Sequence, residues 1–104
     1  MAAREVAVVV ELLSGLGGSL ADSQRGRALL EEKVREGDTW RELFQSLGTR
    51  IQPFAERVWD LPTQQIDSQI LVILNGRLVR QDTILESAIE GGDRIVFVPP
   101  YQGG

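Results

Sequence analysis

One amphipathic helix, set between groups of strand-like runs, most constrains what this chain can become. Thr39-Trp40-Arg41-Glu42 fits a helix-start capping box. In that motif the threonine hydroxyl accepts from an orphan amide and the glutamate reaches back to another. Trp40, Leu43, Phe44 and Leu47 then recur at spacings of three and four, which puts them on one apolar stripe. Gly48 falls where a left-handed cap would end the helix, so the spacing predicts a helix over 40–47. A stripe this apolar needs a covering surface, and the rest of the chain supplies sheet.

Glu5–Leu13 is rich in β-branched residues and reads as a buried strand. Gly15 to Arg27 is polar and glycine-rich, and reads as a long, mobile loop. Ala28–Arg35 reads as a second strand, with Leu30 and Val34 on one face and Leu29 and Lys33 on the other. It pairs most economically antiparallel to the first. Glu36-Gly37-Asp38 is a turn into the helix. Pro53 can begin a short helix holding Phe54, Val58 and Trp59, ended by Leu61-Pro62. Thr63–Ser68 reads as polar loop. Gln69–Leu74 is a strongly apolar strand, Asn75-Gly76 a two-residue hairpin turn, and Arg77–Arg80 a return strand that ends in a polar edge. Asp82–Ile89 suggests a helical turn around Leu85 and Ile89. Glu90-Gly91-Gly92-Asp93 turns into a last strand, Arg94–Val98. The predicted class is α+β: a β-grasp, or ubiquitin-like, mixed five-strand sheet wrapped around one main helix, with a flexible C-terminal tail. Residues 1–98 make the body and 99–104 the tail.

Composition narrows the chemistry. The chain has 104 residues, a net charge of −4, no cysteine and no histidine. Disulfides, thiolate nucleophiles and Cys/His metal sites are excluded, and the usual base near neutral pH is missing. The basic residues are scattered, so the stripe that nucleic-acid binding requires is absent. Lys33 is the only lysine beside ten arginines, and offers few amines for conjugation onto the chain itself. No apolar run approaches the roughly 20 residues that cross a bilayer. Met-Ala-Ala-Arg-Glu lacks the parts of a signal peptide, so a cytoplasmic protein is expected. Asp93-Arg94 reads as turn chemistry and a solvated pair.

The end of the sequence, Pro99-Pro100-Tyr101-Gln102-Gly103-Gly104, carries the functional signal. Two glycines put the α-carboxylate on a stem without side chains, which can enter a channel where any Cβ would collide. The segment from Pro99 to Gly104 spans roughly 20 Å if extended. Pro99-Pro100 stiffens its base in a polyproline-like form. Residues 101–104 are expected to be mobile in the free protein. Tyr101 is either folded on its own sheet or an aromatic anchor at a channel mouth. Phe97, Pro99 and Pro100 are candidates for partner docking. Alternation puts Ile95, Phe97 and Pro99 on one face and Val96 and Val98 on the other. Outward residues of this strand and of the 70–74 strand would form an apolar patch.

These residues resemble the ThiS/MoaD group of prokaryotic sulfur carriers. The resemblance lies in Glu36-Gly37-Asp38-Thr39, Leu47-Gly48, Val72-Ile73-Leu74-Asn75-Gly76, the run from Gly92-Asp93-Arg94 through Pro99-Pro100, and Gly103-Gly104. Two features depart from the pattern: the longer loop from Gly15 to Arg27, and Gln102 where a small residue is common. The segment Pro53–Trp59 looks more like the small subunit of molybdopterin synthase than the thiamine-pathway carrier. The resemblance implies a non-enzymatic carrier. A ubiquitin-activating-type adenylyltransferase would use ATP to adenylate the Gly104 carboxylate, and a persulfide-derived sulfur would then displace AMP. The thiocarboxylate formed would donate sulfur in cofactor biosynthesis, with molybdopterin ahead of thiamine. Gly103, Gln102 and Tyr101 would thread the acceptor, such as a molybdopterin synthase large subunit. The chain itself would bind no cofactor or metal, no nucleic acid and no membrane. The alternative is a ubiquitin-like modifier joined through Gly104 to target lysines; a third, blander class is a β-grasp interaction module.

Overall fold

The computed structural model describes residues 4–13 and 28–99. The loop read between Gly15 and Arg27 and the tail from Pro100 to Gly104 lie outside the described residues.

Strand β1 (Glu5–Leu12) pairs antiparallel with β2 (Ala28–Arg35), with Glu5 opposite Arg35 and Leu12 opposite Ala28. Helix α1 (Trp40–Arg50) follows, and then a short α2 (Gln52–Arg57). A small hairpin of β3 (Trp59–Asp60) and β4 (Gln65–Ile66) stands apart from the main sheet. The chain re-enters that sheet with β5 (Leu71–Leu74) and β6 (Arg77–Val79), adds a short α3 (Gln81–Leu85), and returns through β7 (Arg94–Val98). The sheet order is β2-β1-β7-β5-β6. β7 therefore lies in the centre, parallel to β1 and antiparallel to β5. This is the expected mixed five-strand β-grasp sheet.

Local chemistry explains the elements. Thr39 accepts from the Glu42 amide, and the Thr39 amide donates to Glu42 Oε1 at 3.0 Å, which completes the capping box. Asn75 and Gly76 both take positive φ, 51° and 85°, as the two-residue hairpin turn between β5 and β6 requires. Phe44 is the hub of the core. Its ring lies 5.8 Å from Trp40, 5.6 Å from Trp59, 6.0 Å from Phe54 and 5.3 Å from Phe97. The helix stripe thus meets the central strand, and burial of these large rings supplies much of the hydrophobic drive.

Three expectations are corrected. Helix α1 does not stop at Leu47 but runs on to Arg50, with Gly48 inside it. A Cβ at Gly48 would stand 2.7 Å from Leu61 Cδ2 and 2.8 Å from Trp59 Cδ1, so this glycine permits a close approach and is not a cap. Trp59 leaves the second helix, which ends at Arg57, and enters β3. The stretch Thr63–Ser68 is not all polar loop: β4 lies within it, and its Ile66 is buried against the core.

Candidate functional site

Strand β7 alternates sharply. Ile95 and Phe97 are completely buried, while Val96 and Val98 are half-buried on the other face. Phe97 is therefore corrected from a docking candidate to a core residue, packed on Phe44 and Phe54. Pro99 is half-buried at the strand's end. Pro100, Tyr101, Gln102, Gly103 and Gly104 lie outside the described residues.

The register carries the outward face of β7 across the whole sheet. Val96 sits opposite Glu11 on one side and Ile73 on the other. Glu11 lies opposite Leu29, and Ile73 opposite Leu78. One row therefore reads Leu29, Glu11, Val96, Ile73, Leu78. In the next row Val98 lies opposite Leu71. Leu29, Leu71 and Leu78 are 51%, 50% and 67% exposed, and they are the exposed large hydrophobic residues among those described. All three fall on this face. The exposed large apolar residues are thus gathered on one side of one sheet, the arrangement a docking surface needs, whereas scattered single residues would need no explanation. The 70–74 strand contributes as expected. Leu29 and Leu78 had not been singled out, although the hairpin turn at Asn75-Gly76 fixes Leu78 beside Ile73.

One charged pair interrupts the patch. Arg94 Nη2 donates to Glu11 Oε1, an ion pair between residues far apart in the chain. Arg94 thus pairs with Glu11 and not with its neighbour Asp93. Asp93 is buried and accepts from Asn75 Nδ2 at 2.9 Å and from the Glu90 amide at 2.9 Å. Asn75 Oδ1 in turn accepts from the Arg94 amide at 2.9 Å. These bonds clamp the start of β7 to the β5–β6 turn, which fixes the strand that leads to the tail.

Two further carboxylates serve local structure. The Thr39 amide, and then the Thr39 hydroxyl, hold the Glu42 carboxyl below its ordinary pKa. Arg80 does the same for Asp82. Among the described residues no group of acidic side chains is arranged to hold a metal ion. A concavity of about 560 Å³ lies between the β3–β4 turn and α3. Its Arg41 is spent on Glu86 and the Gln64 carbonyl, and its Gln81 on the Asp67 and Ile70 carbonyls.

The ThiS family model matches residues 21–104. The chain belongs to the ThiS family. It is thus one of the ThiS/MoaD-like, ubiquitin-like proteins, a group of sulfur carriers and modifiers. Its fold is similar to that of SAMP1 from Haloferax volcanii, with a TM-score of 0.69 and 20% identity over 94% of this chain and 99% of that one. It is similar to Urm1 from Trypanosoma brucei, with a TM-score of 0.66 and 20% identity over 97% and 98% of the two chains. It is also similar to a molybdopterin converting factor subunit 1 from Pyrococcus furiosus, with a TM-score of 0.61 and 23% identity over 92% and 99%. No curated protein matches the sequence. Among the described residues, no helix is long and apolar enough to cross a membrane.

Proposed function

We propose that this ThiS-family chain is a sulfur carrier whose Gly104 carboxylate is the reacting group. A carboxylate resists displacement because its leaving group would be oxide. Adenylation by an ATP-using, ubiquitin-activating-type enzyme replaces that leaving group with AMP. The terminal sulfur of a persulfide then displaces AMP to give an acyl disulfide. A second thiol on the sulfur-supplying protein cleaves its S–S bond, itself ending in a disulfide, and the thiocarboxylate so released donates its sulfur to a partner's substrate. The observation that carries this reading is the family match, which runs through Gly103 and Gly104. The body supports it. β7 is central, clamped at its start, and directed into the 99–104 segment, so a partner gripping the outer face of β7 also receives the tail. ATP belongs to the activating enzyme, and this chain supplies the substrate group.

Cofactor biosynthesis, with a molybdopterin precursor as acceptor, is the favoured pathway, ahead of thiamine. The segment holding α2 and β3 is the feature behind that preference. A second reading, a protein modifier joined through Gly104 to lysines, draws on the fold shared with SAMP1 and Urm1. Both readings begin with the same adenylate. Intact-mass analysis of protein from cells containing the activating enzyme separates them. A shift equal to sulfur replacing oxygen supports the carrier. Isopeptide-linked partners without that shift favour the modifier, and neither product refutes both.

A further inference from the structure

β2 and β6 are the two edge strands of the sheet, and the hydrogen-bonding groups of the longer one, β2, can be assigned from the ladder. The Val9 amide donates to the Asp93 carbonyl and the Leu13 amide to the Phe97 carbonyl, so odd-numbered residues of β1 face β7. The Glu36 amide donates to the Arg4 carbonyl, and even-numbered residues of β1 face β2. In that register Leu30, Glu32 and Val34 bond to β1, and the backbone groups of Leu29, Glu31, Lys33 and Arg35 point to the edge. Arg35 is already closed off: its amide donates to Asp38 Oδ2 at 3.2 Å and its carbonyl accepts from the Asp38 amide at 3.0 Å. The backbone groups of Glu31 and Lys33 have no partner at the edge among the described residues.

We propose that this edge pairs antiparallel with the β2 edge of a second copy, about a two-fold axis at Glu32. That axis sets Glu31 of each copy opposite Lys33 of the other, so opposite charges meet twice and each pair exchanges two backbone hydrogen bonds. An axis at Glu31 or at Lys33 would instead bring like charges together. On the inner face Leu30 meets Val34 of the second copy; both already pack against the core at the rim. Glu32 meets Glu32, but each is neutralised within its own chain by Arg50 at 2.6 Å. Closed two-fold pairing of one self-complementary strand satisfies the symmetry of a homodimer and joins the two five-stranded sheets into one. The apolar face around Val96 stays open, so this proposal does not depend on the sulfur-carrier reading. The rival occupancy is solvent, with the charges acting only to blunt the edge.

Sedimentation of the full chain, up to about 1 mM because so small an interface is weak, tests the pairing. Amide exchange followed at the same concentrations locates it. A monomer–dimer equilibrium is expected, with the Glu31 and Lys33 amides becoming protected as dimer forms. Lys33→Glu and Glu31→Lys should each raise the dimer dissociation constant at least ~10-fold, since two cross-strand pairs turn repulsive. The double variant Glu31→Lys/Lys33→Glu should restore it. These are exposed positions, and circular dichroism will verify that each variant is folded. A chain that stays monomeric throughout overturns the proposal. So does a dimer indifferent to the single reversals, one not restored by the double variant, or one without protection at those two amides.

Discussion

Two adjacent residues of β7 should fail in opposite ways when changed. Phe97 is fully buried between Phe44 and Phe54, with ring centroids 5.3 and 5.7 Å away. Truncating a buried phenylalanine to alanine costs about 3–5 kcal/mol, and loss of two edge-on ring contacts pushes Phe97→Ala to the upper end of that range. A domain of this size has about 5–15 kcal/mol to lose. Val96 points the other way, half-buried on the outer face beside Glu11 and Ile73. In Val96→Arg the long side chain can carry its guanidinium out to solvent past the existing Glu11–Arg94 pair, so the free protein should lose no more than about 1 kcal/mol. In a complex that buries this face the same charge is desolvated near the centre of an apolar contact. That should cost about 2–4 kcal/mol, or roughly 30- to 1,000-fold in Kd. Urea unfolding followed by circular dichroism measures the first quantity. Titration against the adenylating enzyme of the same cells measures the second. A folded Val96→Arg protein that binds and accepts sulfur like the wild type refutes the docking face. A Phe97→Ala protein as stable as the wild type refutes the inward orientation of Phe97.

Two other outcomes follow from the same geometry. Gly48→Ala gains about 1 kcal/mol of helix propensity but drives a methyl group into Leu61 and the buried Trp59 ring. That ring is tethered by its Nε1 donating to Gln45 Oε1 at 2.8 Å, so overpacking should win and leave the variant about 1–2 kcal/mol less stable by urea unfolding; a stabilised protein would refute the close approach. Glu42 and Asp82 have pKa values held below the ordinary carboxylate value in the fold, so their contributions are full above the unfolded-state value and lost as pH falls through the folded-state value. Unfolding midpoints should therefore drop on acidification through the low carboxylate range, and Glu42→Gln should flatten that drop; an unchanged slope in Glu42→Gln would count against the capping-box contribution.

What was legible in the sequence was what neighbours in sequence decide. The capping box needs Thr39 and Glu42 three residues apart, and the tight turn needs Asn75 beside Gly76. The faces of β2 and β7 follow from alternation within one strand. What was not legible depends on residues that meet only after folding. Gly48 looks like a helix stop until Trp59 and Leu61 are seen lying against it. The β3–β4 hairpin has only two residues in each strand, far too few for a periodic signal, and it exists because Trp59 and Ile66 both bury against the core. Alternation divided β7 into Ile95 and Phe97 against Val96 and Val98, but it could not say which pair met the helix. Phe44 answers that question by packing on Phe97.

The pairing of Glu11 with Arg94 bears on which partners this face can accept. An uninterrupted apolar patch would welcome any greasy surface. Here the row from Leu29 to Leu78 carries an ion pair between Leu29 and Val96, and Arg94 remains 52% exposed while Glu11 is nearly covered. The exposed member of the pair is therefore the cation. A docking protein that buries Val96 and Ile73 must also present an acceptor to the free side of Arg94, or else desolvate a guanidinium without compensation. A partner offering only apolar contact, or a lysine at that position, is penalised. Discrimination between partners then comes from a charge placed in the patch, and the apolar residues around it supply affinity that many surfaces could use. In the sulfur-carrier reading both the activating enzyme and the sulfur acceptor must meet this condition, because both must hold the same strand to receive the same tail.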